Sequence, residues 1–260
     1  MEQQRWKLLW WIFPIALIGI AWNLWQQQSP QTSSAPRDFN KTSCEHLQPW
    51  TVRPGKHFVC RETYALSMNR DTKMADWVAY CIDRNSITGS SEQGRDWEPD
   101  PDLPENVQLE PSDYQGVGKL GYDRGHQAPL ASFRGENWQE TNYTTNITPQ
   151  KADLNRGVWL QLEKYEREMV REHGSICTIT GPYYDENIAM FPLARADEKH
   201  TVPNGYWKVI SYGGGKTEGY LYGQDTPRGV PFEAGRTCVF EIERFTGLSI
   251  STVEDSEYCP

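Results

Sequence analysis

The strongest constraint on this chain is a run of fifteen uncharged residues, Leu8 to Trp22, which Leu24 and Trp25 extend to eighteen positions. Eighteen residues rise about 27 Å as a helix, close to the hydrocarbon thickness of a bilayer. Arg5 and Lys7 precede the run and no charge follows until Arg37, a pattern that holds the N-terminus in the cytoplasm and sends the rest across. Trp6, Trp10, Trp11, Trp22 and Trp25 cluster toward its ends, as interfacial anchors do, and Pro14 is tolerated in lipid. Two readings export the remainder: an uncleaved transmembrane anchor, or a cleaved signal peptide. Cleavage needs a small-x-small site just past the run, and Trp22-Asn23-Leu24-Trp25-Gln26 supplies none, which favours the anchor. A buried core helix is the remaining alternative. The expected location is therefore the periplasmic face of the inner membrane, or the outside if the segment is removed.

The cysteines agree with export. Cys44, Cys60, Cys81, Cys177, Cys238 and Cys259 are even in number and lack C-x-x-C spacing, which speaks against zinc and for disulfides. Near-neighbour logic pairs Cys44 with Cys60 and Cys238 with Cys259, leaving Cys81 with Cys177. Residues 26–40 are rich in Gln, Ser, Pro and Thr and read as a flexible linker. The expected organisation is thus a membrane segment over 1–25, a linker over 26–40 and one folded domain over 41–260. Aromatic residues make up 12% of the chain, which supports a packed core there.

Within that domain, Lys56–Leu66, Ala75–Ile82, Ser175–Tyr184, Tyr206–Tyr212 and Gly219–Tyr222 carry β-branched and aromatic residues and read as strands. Val239–Phe245 is short and of either type. Glu92–Asp113 is an acidic, Pro-rich stretch expected to be solvated surface; it lacks the spacing of an EF-hand loop. Asp153–Glu172 is the best helix, with Asp153 as the expected N-cap and Gly174 as the stop. Mixed elements without regular βα alternation indicate an α+β fold.

Two stretches carry chemistry. In Tyr122-Asp123-Arg124-Gly125-His126 a glycine permits close backbone approach, a histidine titrates near neutrality and an arginine fork can hold phosphate. Asn155, Trp159 and Glu163 lie four apart and would share a helix face, with Arg167 one turn further. An amide oxygen is a hard ligand that suits Mg²⁺. Each stretch alone also fits a structural role, as an Arg–His pair or as an exposed face with Glu163–Arg167 pairing. His173 and His200 read as structural. Phe133, Trp138 and Tyr143 read as core, with base stacking as the alternative.

Together the two stretches resemble the DNA/RNA non-specific endonuclease family, the ββα-metal nucleases. Asp123-Arg124-Gly125-His126 and Gln127-Ala128-Pro129-Leu130-Ala131 stand intact, followed by Asn146-Ile147-Thr148-Pro149-Gln150 and Leu154-Asn155-x-Gly157-x-Trp159-x-x-Leu162-Glu163. Thr180-Gly181-Pro182 and Pro203-x-x-Tyr206-Trp207-Lys208-Val209 resemble later landmarks, so the likeness covers roughly residues 55–250. It implies a central antiparallel sheet flanked by helices. It further implies His126 as general base, Asn155 as the direct protein ligand of one Mg²⁺ (with Mn²⁺ substituting) and Glu163 as a carboxylate orienting metal-bound water. Arg124, Arg95 and Arg167 would neutralise phosphate, the Arg95 match resting on Arg95-Asp96-Trp97 alone. Asp123 would pair with a neighbour or position its strand, while Asn146 and Lys151 would support the site or the substrate. The implied reaction cuts DNA and RNA without sequence specificity and leaves 5′-phosphorylated oligonucleotides. Dimerisation and a dedicated inhibitor protein are compatible with the likeness.

A net charge of −9 argues against tight global binding of polyanions. Between Lys119 and Arg171, however, eight Lys/Arg face seven Asp/Glu, so the acidic excess lies elsewhere. Placed arginines on an acidic body suit an enzyme that must release what it cuts. The competing readings are a catalytically inactive nucleic-acid-binding module of the same fold, tethered for DNA uptake or processing, and a purely structural tethered domain. Intact His126, Asn155 and Glu163 favour the enzyme.

Overall fold

The computed structural model describes residues 44–89, 94–135, 137–185, 189–190 and 201–250. The expected membrane segment, the linker, His200 and Cys259 lie outside them. Among the described residues no helix is long and apolar enough to cross a membrane.

A seven-stranded antiparallel sheet organises the molecule. Its members are β1 (His57–Cys60), β2 (Ala65–Met68), β3 (Ala75–Asp83), β6 (Ser175–Tyr183), β9 (Gly205–Tyr212), β10 (Lys216–Gly223) and β11 (Arg236–Thr237), adjacent in that order. A second, two-stranded antiparallel sheet joins β4 (Tyr122–His126) to β5 (Ile147–Lys151). A short pair, β7 (Ala189–Met190) and β8 (Thr201–Val202), stands apart. Helix α1 (Leu160–His173) follows β5 through two irregular helical turns, and α2 (Val239–Thr246) follows β11. The architecture is sheet-dominated α+β, as the element order indicates.

The central strands are buried on both faces, so their side chains alternate between two cores rather than between core and water. On β3, Val78, Tyr80 and Ile82 join the core that contains α1, while Trp77 and Ala79 join the opposite one. On β9, Tyr206 and Ile210 face the first core and Trp207 and Val209 the second. The second core is closed by α2 through Val239 and Ile242 and by Trp50 from the N-terminal side.

Two expected disulfides are present. Cys44–Cys60 ties the entry segment to β1, and Cys81–Cys177 joins residues directly opposite each other on β3 and β6. Cys238 is disulfide-bonded.

Several expectations need correction. Lys56–Leu66 is not one strand: the chain reverses between Cys60 and Ala65, with Arg61 N–H donating to the Tyr64 carbonyl at 2.8 Å. Arg61 in that reversal is anchored by its buried guanidinium, which binds Asp100 and Asp102. The same pair corrects the acidic stretch, because Asp100 is buried and also accepts from Thr145 Oγ1 at 2.7 Å. Far from being mere solvated surface, that stretch is pinned to the core. Val239–Thr246 is helical, ending at Gly247. Asp153 is not an N-cap; it sits inside the first turn, Ala152–Leu154, whose cap position is Lys151.

Candidate active site

The β4–β5 pair and the helical segment after it form a β–β–α unit against the large sheet. Arg124 and His126 are two residues apart on β4 and both line a cleft of about 800 Å³, together with Arg95, Trp97, Tyr114, Asp123, Asn155, Arg156, Leu160 and Glu163. Gly125 between them is dictated by packing. A Cβ there would come within 2.6 Å of three side-chain atoms of the buried Gln150 on the paired strand.

The helix does not run straight through the site. Asn155–Trp159 forms a π-type turn, and Gly157 adopts the non-helical angles φ −102°, ψ −113°. A Cβ on Gly157 would lie 2.9 Å from the Arg228 backbone, so only glycine permits that approach. The expected row of Asn155, Trp159 and Glu163 is therefore split. Asn155 and Glu163 line the cleft, whereas Trp159 is fully buried with its ring 5.7 Å from Tyr206.

Each cleft side chain is oriented by a neighbour. Asn155 Nδ2 donates to Asp123 Oδ2 at 3.0 Å, which leaves the amide oxygen as the end available to a cation. Asp123 also accepts from Arg156, Nε at 2.8 Å and Nη2 at 2.6 Å. Burial pushes the Asp123 pKa up, but the bonds from Arg156 and Asn155 outweigh it and hold the pKa below the usual value. His126 Nε2 lies 3.2 Å from Asn142 Oδ1, and Asn142 Nδ2 donates to the Gly94 carbonyl at 3.0 Å. That second bond fixes the amide, so its oxygen faces the ring and Nε2 carries the imidazole proton. Nδ1 is left as the basic nitrogen. Burial lowers the His126 pKa to about 4, the bond to Asn142 opposing and Arg95 assisting, so the ring is neutral at neutral pH.

Arg124 is held between aromatic rings, its guanidinium carbon 5.4 Å from the Trp97 centroid and 5.9 Å from that of Tyr114. The Trp97 ring is also 5.3 Å from His126. The two ring contacts of Arg124 and a bond from its Nη2 to the Pro111 carbonyl at 3.3 Å hold the fork in place.

Glu163 is pushed up to about 7 by burial, with Lys208 opposing and Glu166 reinforcing. Beside it lies a fully buried network in which Lys208 Nζ contacts Glu166 Oε2 and the Tyr80 hydroxyl, each at 2.9 Å. Glu166 Oε1 accepts from Tyr80 at 2.8 Å and Thr178 at 2.7 Å.

The other expected site residues take different places. Exposed Arg95 lines the cleft. Asn146 is buried beside the site, accepting from Ala128 N–H at 2.8 Å and donating to the Ala128 and Thr141 carbonyls. Lys151 pairs with Asp225 at the end of β5. Arg167 is buried and donates to Ser132 Oγ at 3.3 Å; its charge bears on Glu163, and it is not among the residues lining the cleft. Phe133 packs edge-on against Tyr80 at 5.9 Å, the core role expected for it. Sequence reading missed Asn142, Tyr114 and Arg156, and noted Trp97 only beside Arg95. Asn142 could have been suspected from its spacing of four to Asn146; nothing local marks Tyr114.

Among the described residues no group of three His, Cys, Asp or Glu is placed to hold a metal. The cleft offers instead one oriented amide oxygen flanked by Asp123 and Glu163. That donor set is all oxygen and sparse, as suits a hard cation that keeps most of its water.

Known proteins resemble this chain over most of its length. The family described as DNA/RNA non-specific endonuclease matches residues 49–256. The nuclease of Serratia marcescens is 42% identical over 200 residues, 74% of this chain and 74% of its own length. A nuclease of Nostoc is 34% identical over 62% of this chain and 57% of its own length, and human mitochondrial endonuclease G is 28% identical over 72% and 67%. Among solved structures, a chain from the crystal structure of an EndoG/EndoGI complex superposes with a TM-score of 0.63 at 23% identity, covering 79% of this chain and 89% of that one, which bears on the fold. A cleft built on Arg124, His126 and Asn155, within a match spanning most of the chain, places this protein in the DNA/RNA non-specific endonuclease family, as a hydrolytic endonuclease.

Proposed function

We propose that this chain is a ββα-metal nuclease that hydrolyses phosphodiester bonds in DNA and RNA without sequence preference, uses Mg²⁺, and releases 5′-phosphorylated oligonucleotides. The observation that carries the reading is the pairing of two oriented groups across one cleft: His126, with Nδ1 open, and Asn155, with its amide oxygen open.

His126 Nδ1 takes a proton from the attacking water. Asn142 keeps Nε2 protonated, holds the ring in place and stabilises the imidazolium that forms. Arg124, braced by Trp97 and Tyr114, and exposed Arg95 offset the charge that builds on the phosphate. Asn155 would hold Mg²⁺, or Mn²⁺ in its place, with Asp123 orienting the amide and Glu163 accepting hydrogen bonds from surrounding waters. When bound, the metal supplies electrostatic stabilisation of the phosphoryl oxygens and of the leaving 3′ oxygen. Arg167 acts from behind Glu163 rather than on the phosphate, a role supported by its bond to Ser132.

Recognition rests on backbone phosphate, since the cleft offers cations and short aromatic platforms rather than a helix or ribbon shaped for a groove. The proposed organisation remains a membrane segment over 1–25, a linker over 26–40 and an exported domain over 41–260. Cys44–Cys60 and Cys81–Cys177 support an oxidising compartment. The EndoG/EndoGI complex supports an inhibitor protein as one class of partner for this fold.

The test uses purified full-length protein with plasmid DNA and total RNA, with Mg²⁺ or with EDTA, beside His126→Ala and Asn155→Ala. Cleavage of both substrates that needs the metal and both side chains is expected. No cleavage by the intact protein would overturn the activity, and cleavage that survives His126→Ala would overturn the base.

A further inference from the structure

Arg156 follows Asn155 within the kinked turn, and its placement is unusual for a solvent-facing arginine. Its guanidinium grips both oxygens of Asp123, Nη2 to Oδ1 at 2.6 Å and Nε to Oδ2 at 2.8 Å. The same Oδ2 receives Asn155 Nδ2 at 3.0 Å. The Arg156 side chain is 55% exposed and lines the cleft, so it is held there by the carboxylate rather than by packing.

This arrangement puts a cation one carboxylate away from the Asn155 amide oxygen. Asn155 Nδ2 donates to Asp123 directly, so the orienting bond does not run through Arg156. What Arg156 adds is charge: it neutralises Asp123 and repels a divalent ion entering beside Asn155. We propose that Arg156 sets the metal affinity of this site, holding it below what Asn155 and Asp123 would otherwise provide. The inference rests on the assignment of Asn155 as the metal ligand. Its consequence is a site that binds metal weakly in the free protein and firmly once substrate phosphate adds its own oxygens.

The sign of the effect separates this role from a structural one. A residue that only braced the turn would, on removal, loosen Asn155 and weaken binding. Loss of one unit charge near a divalent ion should instead strengthen binding, by about three- to tenfold in a water-like dielectric.

The experiment titrates metal-free full-length protein with Mn²⁺, reading the free hydrated ion by electron paramagnetic resonance, and with Mg²⁺ by calorimetry. Arg156→Gln is expected to bind each ion about three- to tenfold more tightly than the natural protein. Arg156→Lys, which keeps the charge and loses the fork, is expected to stay within about twofold of it. Unchanged or weaker binding by Arg156→Gln, with binding still abolished by Asn155→Ala, overturns the role of Arg156 alone. Natural protein that binds no metal, or binds equally well as Asn155→Ala, overturns the metal site and this inference with it.

Discussion

The two faces of the large sheet are built from the same strands and differ in kind. Toward α2 the sheet presents Trp77, Ala79, Trp207 and Val209 to Trp50, Val239 and Ile242, an apolar core. Toward α1, the intervening residues Tyr80, Thr178 and Lys208 bind Glu166 in a closed polar network, and Glu163 and the cleft lie beside it. A one-residue shift of register would exchange the two sets. Both faces thus carry an apolar core, but the one toward α1 also accepts the desolvation of a buried ion pair beside the cleft.

The comparison breaks most directly by mutation on each face. His126→Ala should lower kcat by about 10²–10⁴-fold, the usual worth of a general base, while the thermal midpoint stays close to that of the natural protein. Trp207→Ala on the opposite face should do the reverse, costing about 3–5 kcal/mol in denaturant titrations while the folded fraction keeps its specific activity. A His126→Ala enzyme that unfolded early, or a folded Trp207→Ala enzyme that was inactive, would show that the faces are not separable.

The polar network gives the next test. Lys208→Met leaves the Glu166 carboxylate buried without its cation and should cost about 3–5 kcal/mol. Adding Glu166→Gln removes the unpaired charge and should restore much of that loss, measured as a coupling energy in a double-mutant cycle. Equal losses from the single and double variants would mean that packing rather than charge holds this face.

How far the sequence foretold each face follows from the range of the interactions. Asp123, Arg124 and His126 share one strand, and Asn155 and Glu163 belong to one segment, so both groups were legible as local patterns. The Cys81–Cys177 pair also emerged, as the remainder after nearer partners were matched. Tyr114 was not legible, because it reaches the cleft from an irregular stretch whose placement depends on tertiary contacts, and the contact of Asn142 with His126 likewise forms only in the folded chain. The Gly157 kink was missed for a related reason: a spacing of four suggests a straight helix, and the close approach of Arg228 is invisible in sequence. Lys208, in an otherwise apolar strand, carried a signal that strand periodicity alone does not interpret.

The finest test uses two groups in the cleft whose titrations oppose one another. His126 has its pKa lowered from 6.5 to about 4, so between those values the unfolded chain binds the proton and the folded protein does not; stability rises with pH across that window. Glu163 has its pKa raised from 4.5 to about 7, so the folded protein holds the extra proton and stability falls as pH rises from 4.5 to 7. The windows overlap between 4.5 and 6.5, and the two slopes offset each other there. In metal-free natural protein, these two groups together should leave stability nearly flat over that range. Removing either one exposes the other. Glu163→Gln should gain stability from pH 4 to 6.5, and His126→Ala should lose it from pH 4.5 to 7, each by an amount on the order of 3 kcal/mol. Urea titrations at half-unit pH steps in EDTA would measure both slopes. Parallel curves for the two variants would mean that His126 and Glu163 do not carry opposite proton balances, and that the catalytic face is electrostatically closer to the inert one than its geometry implies.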